Sequence, residues 1–123
     1  MDVKGLTVVH LAQYAAPYLG NFVKSLMRLE TNLANAGGRM VYVFPPQARD
    51  CAWYEDFASA HEVYVAWPGE AGVADIETII KKYNGKVLMH THFEGYDEAV
   101  CKAIRRSRRD IPVVWHLHDH LSY

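Results

Sequence analysis

The sequence predicts an α/β fold: a Rossmann-like, doubly wound parallel sheet of about five strands in βαβαβαβαβ order, with strand order 3-2-1-4-5. Three observations predict it. Short apolar runs rich in β-branched residues alternate with segments whose apolar residues recur at helical spacing. Paired glycines, Asn-Gly and proline punctuate the changes from one to the other. The apolar runs are nearly continuous rather than alternating with polar residues, as strands buried on both faces should be.

The first run, Leu6 to Ala12, is β-branched in its middle and reads as the central strand. After the loop Gln13 to Gly20, Asn21 is placed as the cap of a helix bearing Phe22, Leu26, Leu29 and Leu33, which Gly37-Gly38 stops. Met40 to Phe44 forms the second strand, ended by Pro45-Pro46, since proline cannot donate to a ladder. A short helix from about Ala48 to Ala58 follows, then a third strand, Glu62 to Ala66. The next helix carries Val73, Ile76, Ile80 and Tyr83 on one face and closes at Asn84-Gly85. Lys86 to His90 is the fourth strand. A helix near Tyr96 to Arg108 turns Tyr96, Val100 and Ile104 inward, and Ile111 to Leu117 is the fifth strand.

At 123 residues, half of them apolar, the chain suffices for one domain with a real core and is too short for two. A net charge of -1 gives no global field to recruit nucleic acid or an anionic membrane. Cys51 and Cys101 have no metal-type spacing and suggest a reducing, cytoplasmic setting. There is no signal-like opening and no run of roughly 20 apolar residues. The fifth strand runs into His118-Asp119-His120 without a helix to cover that part of the sheet. The expectation is therefore a fragment, or a domain that relies on a partner surface.

Six of the seven histidines fall in or just beyond strands: His10, His90, His92, His116, His118 and His120. Alternate strand residues share a face, so His90 with His92, and His116 with His118, form two HxH pairs. With Asp119 they make a His-rich metallohydrolase one alternative. The run His116 to His120 nonetheless lacks a residue of the HxHxDH pattern, and one missing residue reverses every later side chain. His10, His90 and His116 are read as core residues, and His92 and His118, at strand exits, as functional ones. The expectation is of no metal ligand.

The loop Gln13 to Asn21 precedes a helix amino terminus, where backbone amides favour an anion, and Gly20 allows close approach. It is neither a GxGxxG nor a Walker sequence. Arg105, Arg106, Arg108 and Arg109 cluster near a helix carboxyl end, which the dipole favours, and read as a solvated helix end. No nucleophile elbow, catalytic triad order or activated cysteine is evident.

Three segments together resemble the amino-terminal domain of the retaining GT-B (glycosyltransferase family 4-like) glycosyltransferases. They are Val8 to Tyr14 with Tyr18 to Phe22 and Leu29 to Val43, then His90-Thr91-His92-Phe93, then Ile111 to Asp119. The chain departs from the family at Leu19-Gly20, where paired glycines are usual, and at Gly37-Gly38-Arg39, where Gly-His is usual. The resemblance implies an acceptor-side domain of a nucleotide-sugar-dependent enzyme of polysaccharide or glycoconjugate synthesis. It implies His118 as the catalytic residue, and Tyr18, Gly20, Asn21, His92 and Asp119 as substrate-binding residues.

No cofactor is expected. The nucleotide-diphosphate sugar is a donor substrate, bound mainly by a second domain outside these residues, so the chain alone is expected not to turn over. The expected partners are a glycan or lipid-linked acceptor and the nucleotide sugar, with no nucleic acid. Peripheral contact with the inner face of the membrane, and self-association through the uncovered sheet edge, stay open. The competing reading is a non-catalytic Rossmann- or flavodoxin-like binding module.

Overall fold

Leu6–Ala12 (β1) is buried along its whole length because a strand pairs on each side of it and helices cover both faces. The computed structural model describes residues 3–92 and 95–116, with the backbone alone of 115 and 116. After β1 come α1 (Asn21–Asn35), β2 (Arg39–Phe44), α2 (Tyr54–Ala60), β3 (Val63–Val65), α3 (Val73–Lys82), β4 (Lys86–His92), α4 (Asp97–Ser107) and β5 (Val113–His116). All four strand pairings are parallel, and the sheet order is β3-β2-β1-β4-β5. This is the Rossmann-like α/β architecture with the expected strand order.

Side-chain alternation divides the core into two layers. Val9 and Leu11 of β1, Val41 and Val43 of β2 and Met89 of β4 point to one face, against Ile76, Ile79 and Ile80 of α3 and Ala99, Val100 and Ala103 of α4. Ala12, Met40, Tyr42 and Phe44 point to the other, against Val23 and Leu26 of α1 and Phe57 of α2. Each aliphatic side chain buried in this way contributes about 1.5–3 kcal/mol.

Two local expectations are corrected. Asn21 is the first helical residue of α1 rather than its cap; Gly20 occupies the cap position with extended backbone, and its carbonyl accepts from Lys24 N at 3.2 Å. The helix expected at Ala48 to Ala58 is instead a 3-10 turn, Pro46–Asp50, followed after a break by α2. Cys51 is extended at the break and therefore lies on no helix. The break is held by tertiary contacts: Trp53 Nε1 donates to the Ala16 carbonyl at 2.9 Å and Cys51 Sγ to the Ala15 carbonyl at 3.3 Å.

Polar staples join the layers. Tyr42 Oη donates to Glu30 Oε1 at 2.8 Å, and His61 Nδ1 lies 2.8 Å from the same oxygen, tying α1 to β2 and to the end of α2. Burial, reinforced by the Glu30 carboxylate, holds the Tyr42 phenol well above the ordinary tyrosine range. The arginine group at the end of α4 divides. Arg109 donates to the carbonyls of Ile80, Tyr83 and Gly85 at 2.8, 2.8 and 3.0 Å, satisfying the open end of α3, and Arg106 pairs with Glu77 at 3.2 Å. These partners lie at the amino-terminal edge of the sheet, where β4 begins.

Candidate functional site

In an open α/β sheet, ligands bind beyond the carboxyl ends of the strands, where successive connections leave in opposite directions. Here that point lies between β1, whose chain proceeds to β2, and β4, whose chain proceeds to β5 on the other side. The loops leaving these two strands touch: a Cβ added at Gly95 would meet the side-chain oxygen of Gln13. A side chain at Gly95 would therefore require Gln13 to move.

Parallel pairing sets His10 of β1 opposite His90 of β4, and Ala12 opposite His92. His10, His90 and His92 consequently share the face beneath α1. His10 and His92 are buried, His90 half-buried, and His10 Nδ1 lies 2.9 Å from His92 Nε2. The rings lie close together, stacked for His90 and His92 with centroids 4.2 Å apart and tilted by 39° for His10 and His90 at 4.7 Å. Phe22, from the first turn of α1, presents an edge contact to His92 at 5.0 Å.

A cleft of about 440 Å³ opens over this group, between α1 and β4, lined by Asn21, Phe22, Ser25, Leu26, Leu29 and His90 with His92. Its walls are mainly apolar and its polar groups few, as in a small-molecule site. A second cleft of similar size, about 440 Å³, is lined in part by Gly5, Arg39 and Lys82 at the opposite edge, away from the histidines.

Of the sequence-predicted site residues, Asn21 and His92 meet in the α1–β4 cleft. Tyr18 is exposed in the loop, and its carbonyl accepts from Tyr14 Oη at 2.7 Å. The Gly20 amide donates to the same Tyr14 oxygen at 2.9 Å, so Tyr14 clamps both ends of the tight part of the loop. An anion can use the Gly20 amide only by displacing that phenol. His118 and Asp119 lie outside the described residues. Backbone register sets His116 beside His92.

Sequence reasoning passed over two residues. Tyr14 was not among the expected site residues, and its role depends on a loop conformation. His10 was read as core, which is true of its burial, but its contact with His92 follows from the β1–β4 register, which no local pattern encodes. At the neighbouring strand exit, Tyr96 Oη donates to the Ala66 carbonyl at 2.8 Å, and burial raises this phenol well above its usual range. That bond ties the start of α4 to the end of β3, bracing the carboxyl edge. None of the described helices is long and apolar enough to cross a membrane.

Comparisons with protein-family models, with curated proteins and with solved structures find no match to this chain.

Proposed function

We propose that this chain is the amino-terminal, acceptor-side domain of a GT-B glycosyltransferase that uses a nucleotide-diphosphate sugar in polysaccharide or glycoconjugate synthesis. The observation that carries the reading is the meeting of His92, Asn21 and the loop after β1 at the switch point of a 3-2-1-4-5 sheet. The motif resemblance of the β1, β4 and β5 exits supports it. Glycosyl transfer breaks the bond between the anomeric carbon and the diphosphate oxygen and forms one to an acceptor hydroxyl oxygen. The acceptor proton is released and the nucleoside diphosphate departs.

On this reading the amino end of α1 faces the growing negative charge of the leaving diphosphate. The mainly apolar cleft beside it takes the acceptor, whether glycan or lipid-linked. His118 contacts the transferred sugar, with Asp119 next to it. A second domain supplies most of the donor pocket, because donor, acceptor and catalytic groups must be oriented together with water excluded.

The test is a transfer assay of the complete protein against a panel of nucleoside-diphosphate sugars, with and without glycan and lipid-linked acceptors. The expected result is donor-dependent transfer, with His118→Ala lowering kcat/KM by roughly 100-fold or more. Failure of every donor to transfer or hydrolyse, with the protein folded, overturns the reading in favour of a binding module. An unchanged kcat/KM in His118→Ala overturns the role of that histidine.

A further inference from the structure

The three histidines beneath α1 invite a different question from glycosyl transfer. Their imidazoles come from two adjacent strands at positions that must share one face, and each offers a ring nitrogen such that all three atoms lie within 4.8 Å of one another. Aliphatic side chains would fill the same space without the cost of desolvating polar rings. Three convergent imidazoles offer, beyond the hydrogen bonds that satisfy them, a set of metal ligands that leucine or valine could not.

We propose that His10, His90 and His92 form a binding site for a divalent transition-metal ion of the zinc class, entered through the α1–β4 cleft. Zinc–imidazole bonds of about 2.0–2.1 Å put ligand nitrogens about 3.4 Å apart in a tetrahedron. The His10–His92 pair, at 2.9 Å, is already near that separation, and the widest approach of 4.8 Å closes by small side-chain rotations. In the His10–His92 hydrogen bond one ring nitrogen carries the proton. On metal binding that imidazole changes tautomer, moving the proton to its far nitrogen, and both facing nitrogens then donate lone pairs to the ion.

The donor set decides the class of ion. Three imidazoles without a carboxylate suit zinc, copper or nickel and disfavour calcium and magnesium, which require oxygen ligands. The cleft, lined beside the trio by Asn21 and Ser25, leaves room for water or an added ligand to complete the coordination. The half-burial of His90 gives the ion its route, whereas His10 and His92 are each 1% exposed. The site stands on these contacts alone and holds whether or not the glycosyltransferase reading does.

The experiment is a titration of the chelator-stripped chain with Zn²⁺ and with Co²⁺, following bound metal by equilibrium dialysis and the visible cobalt spectrum. One equivalent per chain is expected, with the intense visible bands of low-coordinate cobalt. Loss of an outer-shell partner weakens a metal site 10- to 100-fold, so His90→Asn, which keeps a polar group in a half-buried position, should weaken it at least about 100-fold. Should the buried variants His10→Asn and His92→Asn fail to fold, His90→Cys decides the matter. It keeps a ligand and should bind Co²⁺ with a new thiolate charge-transfer band. His61→Gln and His120→Gln, which alter histidines outside the trio, should bind as the parent chain does. Binding below one equivalent, binding unaffected by His90→Asn, or binding lost in His120→Gln overturns the proposal.

Discussion

His10 Nδ1 and His92 Nε2 lie 2.9 Å apart although 82 positions separate them in the chain. They occupy diagonal positions on neighbouring strands, because His10 faces His90 directly and His92 stands two residues further on the same face. A contact of this kind couples two strands at the place where ligands of such sheets bind, so it should be measurable as an energy.

In metal-free buffer, His10→Ala and His92→Ala should each lower unfolding stability by about 2–3 kcal/mol, through lost packing and the disturbed hydrogen bond. The double variant should fall short of the sum by about 1 kcal/mol, since the second truncation removes a partner already lost. Urea unfolding of the four proteins closes the cycle. Strict additivity would show that the contact contributes nothing of its own.

Tyr14 holds the loop between β1 and α1 through the Gly20 amide and the Tyr18 carbonyl. Tyr14→Phe keeps the ring against Phe22 and Trp53 but removes the oxygen. Loss of about 1 kcal/mol locally should speed hydrogen exchange at the Gly20 amide roughly fivefold, while amides of β1 stay unchanged. Equal exchange at Gly20 in both proteins would remove Tyr14 from its place as the clamp.

Gly72, at the entry to α3, has no room for a side chain: an added Cβ would overlap the carbonyl oxygen of Trp67. That obstacle is backbone, so Gly72→Ala should cost about 2–3 kcal/mol. Gly95→Ala meets chiefly the amide end of the Gln13 side chain, which can swing aside, and its Cβ at 3.3 Å, and should cost under about 1 kcal/mol. Thermal unfolding of the two variants should rank them in that order, and the reverse ranking would refute the account.

The phenols of Tyr42, Tyr83 and Tyr96 are all raised, first by burial and, for Tyr42 and Tyr83, also by neighbouring hydrogen-bonded groups that include Glu30 and Glu62. The folded chain thus retains protons that the unfolded chain releases. The stabilisation is complete below the ordinary tyrosine value of about 10 and is lost as pH rises above it. Of the eight tyrosines, these three should ionise only together with loss of the far-ultraviolet circular dichroism. Ultraviolet titration in which all eight ionise near pH 10 with the dichroism intact would contradict this.

The number of strands, their order and most of their residues were legible because the central strands are buried on both faces and each helix on one, which writes a period into the chain; the edge strands β3 and β5 are less buried, with Val114 exposed. Leu6–Ala12 matched its expected bounds, Val73, Ile76 and Ile80 of α3 are buried as expected, and on α4 Val100 is buried while Ile104 is only partly so and Ala99 and Ala103 complete the inner face. That His92 and Asn21 line one cleft follows from the packing of α1 on β4 and is not written in either local segment. The capping of α1 by Gly20 rather than Asn21, and the break at Cys51, were not legible. In both places a distant side chain, Tyr14 or Trp53, fixes the backbone, and no local propensity contains that information.

Local pattern therefore determined the layers of this protein, since hydrophobic periodicity and turn residues act over a few positions. Register decided the rest. Only the pairing of β1 with β4 brings His10 against His90 and His92, because a one-residue slip would turn one set of rings to the opposite face of the sheet. The grouping of those imidazoles is a property of the tertiary structure.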